Sequence, residues 1–285
     1  MARPPDFPAA SWARRQTRQP AGRSGGGEHD LDIKRRSLYR LGMARDLTAR
    51  LQSAASSTAD GLRRGLWLSF LDPYGLEVAI GCGADWVGVD LQHGNLEPHD
   101  LPGLLRVTEP AGLPLLARAP SHDPAILARI LDTGVSGLIV PMVESADQAR
   151  ALVTATRTPP LGARSTGGCR AAIKGTSAPT HPLLLAMVES TAGLDHADEI
   201  LAVPGVDGVF FGPYDLTISA GYPSPSSAQT IDALRGVLRL ARSAGKIAGF
   251  MAGTPELLTV APEADLVAID TDVSALKLGL AQIFG

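Results

Sequence analysis

From Gly65 onward, eight short runs rich in Val, Ile and Leu alternate with eight amphipathic stretches. The runs are GLWLSFL (65–71), WVGVDL (86–91), PLLARA (114–119), GLIVPMV (137–143), LLLAMVE (183–189), GVFFG (208–212), KIAGFM (246–251) and LVAID (266–270). Runs that are apolar throughout belong to strands buried on both faces, as in a parallel sheet. The stretches 73–82, 97–110, 123–133, 145–156, 193–202, 229–244, 254–261 and 273–283 are expected to be helices. Several open on N-terminal signals: Asp72-Pro73, Asp123-Pro124, Ser145 with Gln148 three residues on, and Thr254-Pro255-Glu256. Eight strand–helix pairs in about 225 residues point to a (β/α)8 TIM barrel. A doubly wound open sheet is the competing architecture, but no GxGxxG follows the first strand. Longer inserts are expected at 157–182 and 213–228.

The segment before the barrel is of another kind. Residues 1–50 carry eleven basic and five acidic side chains, a net +6, against −9 for the remainder. Residues 1–42 have no periodic apolar face and read as a disordered basic tail. A helix is expected at MARDLTARLQSAAS, so the barrel domain is taken as 43–285. The tail lacks the apolar core of a secretory signal. The formal net charge of −3 gives no reason to expect a nucleic-acid or membrane partner. Cys82 and Cys169 form neither a disulfide framework nor a metal-ligand spacing, so a cytoplasmic location is expected.

Catalytic groups of such barrels sit at the C-terminal strand ends. Strand 86–91 runs into Asp90, Leu91, Gln92 and His93. Strand 114–119 carries Arg118. Strand 183–189 ends in Glu189, and FFGPYDL leads to Asp215. Two carboxylates facing one cavity raise each other's pKa, and a divalent cation removes that penalty. All-oxygen ligation suits Mg²⁺ or Mn²⁺, whereas the thiolates of a structural zinc site are missing. Arg118 suits a substrate carboxylate or enolate, or else an ion pair with Asp90 or Asp132. His93 suits a general base. Asp132 could orient His93, particularly across a subunit boundary, or cap the turn before the next strand. The glycine-rich basic loop 161–175 could close over an anionic substrate. His99, His122, His181 and His196 are expected to face solvent.

Taken in order, GLWLSFLDPYGLEVA, ADWVGVDLQHG, LLARAPSHDPAILARILDTGVSGLIVPMVESADQAR, MVES and VPGVDGVFFGPYDLTISAG resemble the HpcH/HpaI family of metal-dependent pyruvate aldolases. These include 4-hydroxy-2-oxoheptanedioate and 2-dehydro-3-deoxyglucarate aldolases. The resemblance spans roughly residues 44–285. It implies a phosphoenolpyruvate/pyruvate-type barrel in a homo-oligomer, a hexamer or trimer of dimers, whose last helix packs on a neighbouring subunit. It implies Mg²⁺, Mn²⁺ or Co²⁺ held by Glu189 and Asp215, with Arg118 stabilising a metal-bound enolate. His93 would be the base, with Asp132 raising its basicity and Asp90 belonging to the same motif. Gly212, Pro213, Tyr214, Met187 and Gln92 would line the substrate.

The reaction implied is reversible cleavage of a 4-hydroxy-2-oxo acid to pyruvate and an aldehyde. Acyl-CoA cleavage or oxaloacetate decarboxylation on the same barrel are alternatives, as is a non-catalytic ligand-binding barrel. The chain departs from the family at three of these positions. Gln92 stands where Glu is frequent, Met187 where Gln is frequent, and Tyr214 where a small residue is preferred.

Overall fold

The computed structural model describes residues 63–173 and 181–285. The expected basic tail and the helix opening at Met43 lie outside these residues. Eight strands close into one parallel barrel in chain order. They are β1 Arg64–Leu68, β2 Trp86–Asp90, β3 Leu115–Arg118, β4 Gly137–Val140, β5 Leu183–Val188, β6 Gly208–Phe211, β7 Ile247–Met251 and β8 Leu266–Thr271. β8 pairs with β1 to complete the ring, with a register irregularity between Gly65 and Leu66.

The apolar runs work as expected for strands covered on both sides. In β5, Leu183, Leu185 and Met187 point into the barrel and pack with Trp67, Trp86, Ile139 and Phe210. Leu184 and Ala186 point outward, into the layer shared with the surrounding helices. Each strand thus serves two cores with a period of two. Trp67 stacks on Phe210 with centroids 5.7 Å apart, and Trp86 meets the same ring edge-on at 6.3 Å. This aromatic plug forms the floor beneath the site.

Helices begin where the sequence signals them. Asp72 accepts from the Gly75 amide, Asp123 from those of Ala125 and Ile126, Ser145 from that of Gln148, and Thr254 from that of Leu257. Three expectations need correction. Residues 213–228 are not a simple insert, because Pro213–Ala220 is a helix ended by left-handed Gly221 at φ 64°. Pro213 occupies its first turn, where a missing N–H costs nothing. The expected helix 193–202 is two pieces, Thr191–Asp195 and Ala197–Ala202, broken at His196. The described part of the loop expected as a lid, 161–173, does not cover the mouth of its own barrel. It leads into the N-terminal end of β5, opposite the strand ends that carry the polar residues. There Arg164 pairs with Asp132 at 2.8 Å, and Arg170 holds Glu109 at 2.8 Å and the Thr133 carbonyl at 2.8 Å.

Among the described residues, no helix is long and apolar enough to cross a membrane. The helix Asp272–Phe284 leaves Leu276, Leu280, Ile283 and Phe284 bare.

Candidate active site

A cavity of about 320 Å³ opens at the C-terminal ends of the strands. Asp90, His93, Arg118, Met187, Gly212, Pro213, Tyr214 and Asp215 all line it. These residues arrive from β2, β3, β5 and the segment after β6, so the barrel's closure is what gathers them.

Asp90 is the hub of one wall. It is the last residue of β2 and is buried. Its Oδ1 accepts from the Arg118 Nε at 2.9 Å and from the Gln92 and His93 amides at 3.0 and 3.1 Å. Its Oδ2 accepts from Arg118 Nη2 and sits 3.5 Å from the Trp67 indole nitrogen. Burial pushes the carboxyl up and is the largest single influence. The bond to Arg118, its charge and the two amides outweigh that and hold the group below the usual carboxylate range. Arg118 also lies 5.5 Å above the Trp67 ring. With Nε and Nη2 given to Asp90, Nη1 is the nitrogen left to meet a substrate. His93 stands exposed at the mouth, with its backbone fixed by Asp90.

Glu189 stands one residue beyond β5; it does not itself line the cavity but lies against Gly212, which does. It is buried, and its Oε1 accepts from the Met142 amide at 2.8 Å. Met142 is the non-glycine residue with positive φ, 52°, among those described, and that backbone turn aims the amide at the carboxylate. Oε2 is buried with no hydrogen-bond partner. Burial raises the carboxyl to about 7; the Met142 amide opposes this, and the charge of Asp215 adds to it. Gly212 leaves room for this oxygen, since a Cβ there would lie 2.7 Å from Oε2. Asp215 sits in the first turn of the helix Pro213–Ala220.

An orphaned, buried carboxylate oxygen beside a second carboxylate is a poor arrangement for a protein alone and a good one for a hard cation. Among the described residues no group of three His, Cys, Asp or Glu side chains is placed to hold a metal. Glu189 and Asp215 could supply two oxygens to such an ion, with water and substrate filling the other positions, as in many Mg²⁺ sites.

Besides Glu189, two more of the expected residues are not part of the cavity lining. Gln92 contributes its amide to Asp90, and its own Oε1 is buried without a partner. Asp132 ends the helix Pro124–Asp132, which descends from the mouth end of β3 to the foot of β4. It pairs with Arg164 there and does not meet His93 of its own chain. His122, expected to face solvent, is partly buried and holds the Pro141 carbonyl at 2.6 Å.

The cavity also contains residues that the motif reading missed: Ser69, Met251, Asp270, Thr271 and Ser274. Asp270 ends LVAID just as Asp90 ends WVGVD, so the same strand-end rule would have found it. Nearby, Asp272 is buried and accepts from the amides of Ser69, Phe70 and Leu71 at 2.9–3.0 Å, tying the loop after β1 to the end of β8. Tyr214 lies against Gly253, where a Cβ would come within 2.3 Å of its hydroxyl. Burial, and then the charge of Asp270, push its phenol up.

Residues 63–271 match the family model described as HpcH/HpaI aldolase/citrate lyase. The chain belongs to the HpcH/HpaI family. It is 38% identical over 229 residues to a 2-keto-3-deoxy-L-rhamnonate aldolase of Escherichia coli, covering 76% of this chain and 86% of that one. The barrel superposes on an HpcH/HpaI family protein from Burkholderia cenocepacia with a TM-score of 0.74, at 30% identity, over 84% of this chain and 98% of the other. An HpcH/HpaI aldolase from Desulfitobacterium hafniense gives a TM-score of 0.69 at 28% identity, over 78% and 90%. Both the expected barrel and the expected family are thereby borne out, and the named aldolases are in line with a carbon–carbon lyase.

Proposed function

We propose that this HpcH/HpaI barrel is a divalent-metal-dependent aldolase that reversibly cleaves a 4-hydroxy-2-oxo acid to pyruvate and an aldehyde. The observation that carries the reading is the orphaned Oε2 of Glu189, buried beside Asp215 and across from Arg118. Glu189 and Asp215 would hold Mg²⁺, Mn²⁺ or Co²⁺. When bound, that ion supplies Lewis acidity toward the 2-oxo acid.

The chain's own residues do the rest. The amides of Tyr214 and Asp215, in the first turn of an eight-residue helix, are free to receive the substrate carboxylate. Met187 and Phe210 exclude water from the methyl side. His93, directly or through one water, takes the proton of the C4 hydroxyl. The C3–C4 bond then breaks: C4 leaves as the aldehyde carbon, and the bonding pair stays with C3. Charge gathers on the ketone oxygen, where Nη1 of Arg118 meets it, while Asp90 keeps the guanidinium oriented. The proton on His93 returns to C3 and releases pyruvate.

The free cysteines Cys82 and Cys169 are compatible with a reducing cytoplasm. We further propose a homo-oligomer, a hexamer or trimer of dimers. The bare apolar face of the helix Asp272–Phe284 favours it. So does the distance in the chain's topology between Asp132 and its own His93, which leaves another copy to supply that carboxylate.

Pyruvate release coupled to lactate dehydrogenase tests the reaction. Activity should vanish with EDTA and return with Mn²⁺. Undiminished turnover after metal removal would sink the mechanism.

A further inference from the structure

We infer that Asp270 is a specificity-determining residue of the aldehyde subsite, selecting aldehydes that carry hydroxyl groups over aldehydes that end in a carboxylate. The inference rests on the aldolase reading above.

Charge and placement single this residue out. Of the charged groups lining the cavity, Arg118 is sealed to Asp90 by a two-point ion pair. Asp215 faces Glu189 and is committed to the cation pair. His93 is at the mouth. Asp270 is left as the lining carboxylate that no cationic side chain of the cavity answers. Its Oδ1 accepts from the Thr271 amide at 2.7 Å, which fixes the carboxylate and leaves Oδ2 for a ligand.

Arg64 shares a separate, smaller pocket with Asp270, but within the cavity itself several neutral hydroxyl side chains accompany it. Ser69, Thr271 and Ser274 line the same cavity, as does Tyr214, whose hydroxyl is 3.5 Å from the Ala252 carbonyl and feels the charge of Asp270. The 2-oxo acid half is anchored on the β3, β5 and β6 side. The aldehyde half must therefore extend toward β7, β8 and β1, which is where this hydroxyl-rich wall stands. A carboxylate accepts hydrogen bonds from a polyol chain at full strength, whereas it repels a second carboxylate in a partly desolvated site.

The test uses the full-length protein with Mn²⁺. Exchange of the C3 protons of pyruvate in D₂O, with no aldehyde present, first reads the reaction of the pyruvate half alone. Aldol addition of pyruvate to glyceraldehyde is then compared with addition to succinic semialdehyde, in the wild type and in Asp270→Asn. The wild type should favour glyceraldehyde by about tenfold or more in kcat/KM. Asp270→Asn should shift that ratio about fivefold or more toward the acidic aldehyde.

Should the variant fail to fold, salt serves in its place. Between about 0.01 and 0.5 M salt, wild-type addition to succinic semialdehyde should rise relative to glyceraldehyde. A wild type that prefers succinic semialdehyde, or a ratio unmoved by both the variant and salt, overturns the role of Asp270 while proton exchange upholds the aldolase. Absence of proton exchange overturns the aldolase reading itself, and this inference with it.

Discussion

Asp90 and Arg118 are register partners on the last rung of β2 and β3, and their side chains close a two-point ion pair directly above it. The backbone pairing makes the side-chain pairing: adjacent parallel strands place the two Cα atoms side by side at the mouth. Trp67 beneath and the His93 and Gln92 amides at the rim complete the shell. One buried carboxylate thus orients both the guanidinium of Arg118 and the backbone of His93.

Removing either partner should therefore cost stability as well as rate. Arg118→Met leaves Asp90 buried without its counter-ion and should destabilise the barrel by about 3–5 kcal/mol, read by urea denaturation. Arg118→Lys keeps the charge but loses the planar fork, so it should fold and lose at least about tenfold in kcat for pyruvate release.

Glu189→Gln removes a buried charge and turns the carboxylate proposed to hold the metal into an amide. Pyruvate release should fall by about a thousandfold or more, and calorimetric Mn²⁺ binding should be lost. At about pH 8 without metal, the melting temperature of the variant should equal or exceed that of the wild type, because the amide escapes the burial and repulsion that strain the carboxylate. A large drop in metal-free stability would contradict that account.

The pH dependence follows from the same group. Its carboxyl is raised from an ordinary 4.5 to about 7, by burial first and by Asp215 as well. The metal-free fold therefore holds that proton more tightly than the unfolded chain does. The resulting stability is complete below 4.5 and is lost as the pH rises through about 7. If Glu189 holds the metal as proposed, binding displaces this proton, so apparent Mn²⁺ affinity should weaken by about tenfold per unit below 7. Thermal shifts with added Mn²⁺, large at about pH 8 and small at about pH 5.5, would record it.

Gly212→Ala tests the cradle. The new Cβ would sit 2.7 Å from Glu189 Oε2 and 2.8 Å from its Cβ, so the carboxylate must move. A displacement of this size near the chemistry should cost about a hundredfold in kcat/KM. Far-ultraviolet circular dichroism should stay unchanged.

Asp132 offers a test of assembly. If it serves His93 of another copy, Asp132→Asn and His93→Ala should each be nearly inactive alone. Mixing the two under conditions of subunit exchange should restore measurable pyruvate release, because some mixed sites then hold both native side chains. Mixtures as inactive as their components would remove Asp132 from the mechanism.

The strands and the polar groups at their ends were readable because both faces of each strand are buried. A run such as LLLAMV followed by Glu189 fits little except a covered strand that ends at a polar mouth. The helix at 213–220 was hidden because GPYD also spells a turn, and only its docking behind β6 decides between the two. The contribution of Asp270, Thr271 and Ser69 was hidden for a different reason. They come from β8 and the loop after β1, and only the β8–β1 pairing brings the two ends of the fold to one wall. The positions of Asp132 and Arg164 depend on which end of the barrel a connection occupies, and no local pattern encodes that.

Asp272 has a consequence for how the enzyme is made. The loop behind β1 is among the first parts of the barrel to leave the ribosome, yet its three amides wait for a carboxylate synthesised about two hundred residues later. Until that carboxylate is made, the loop lacks the tie that joins both ends of the barrel at its mouth.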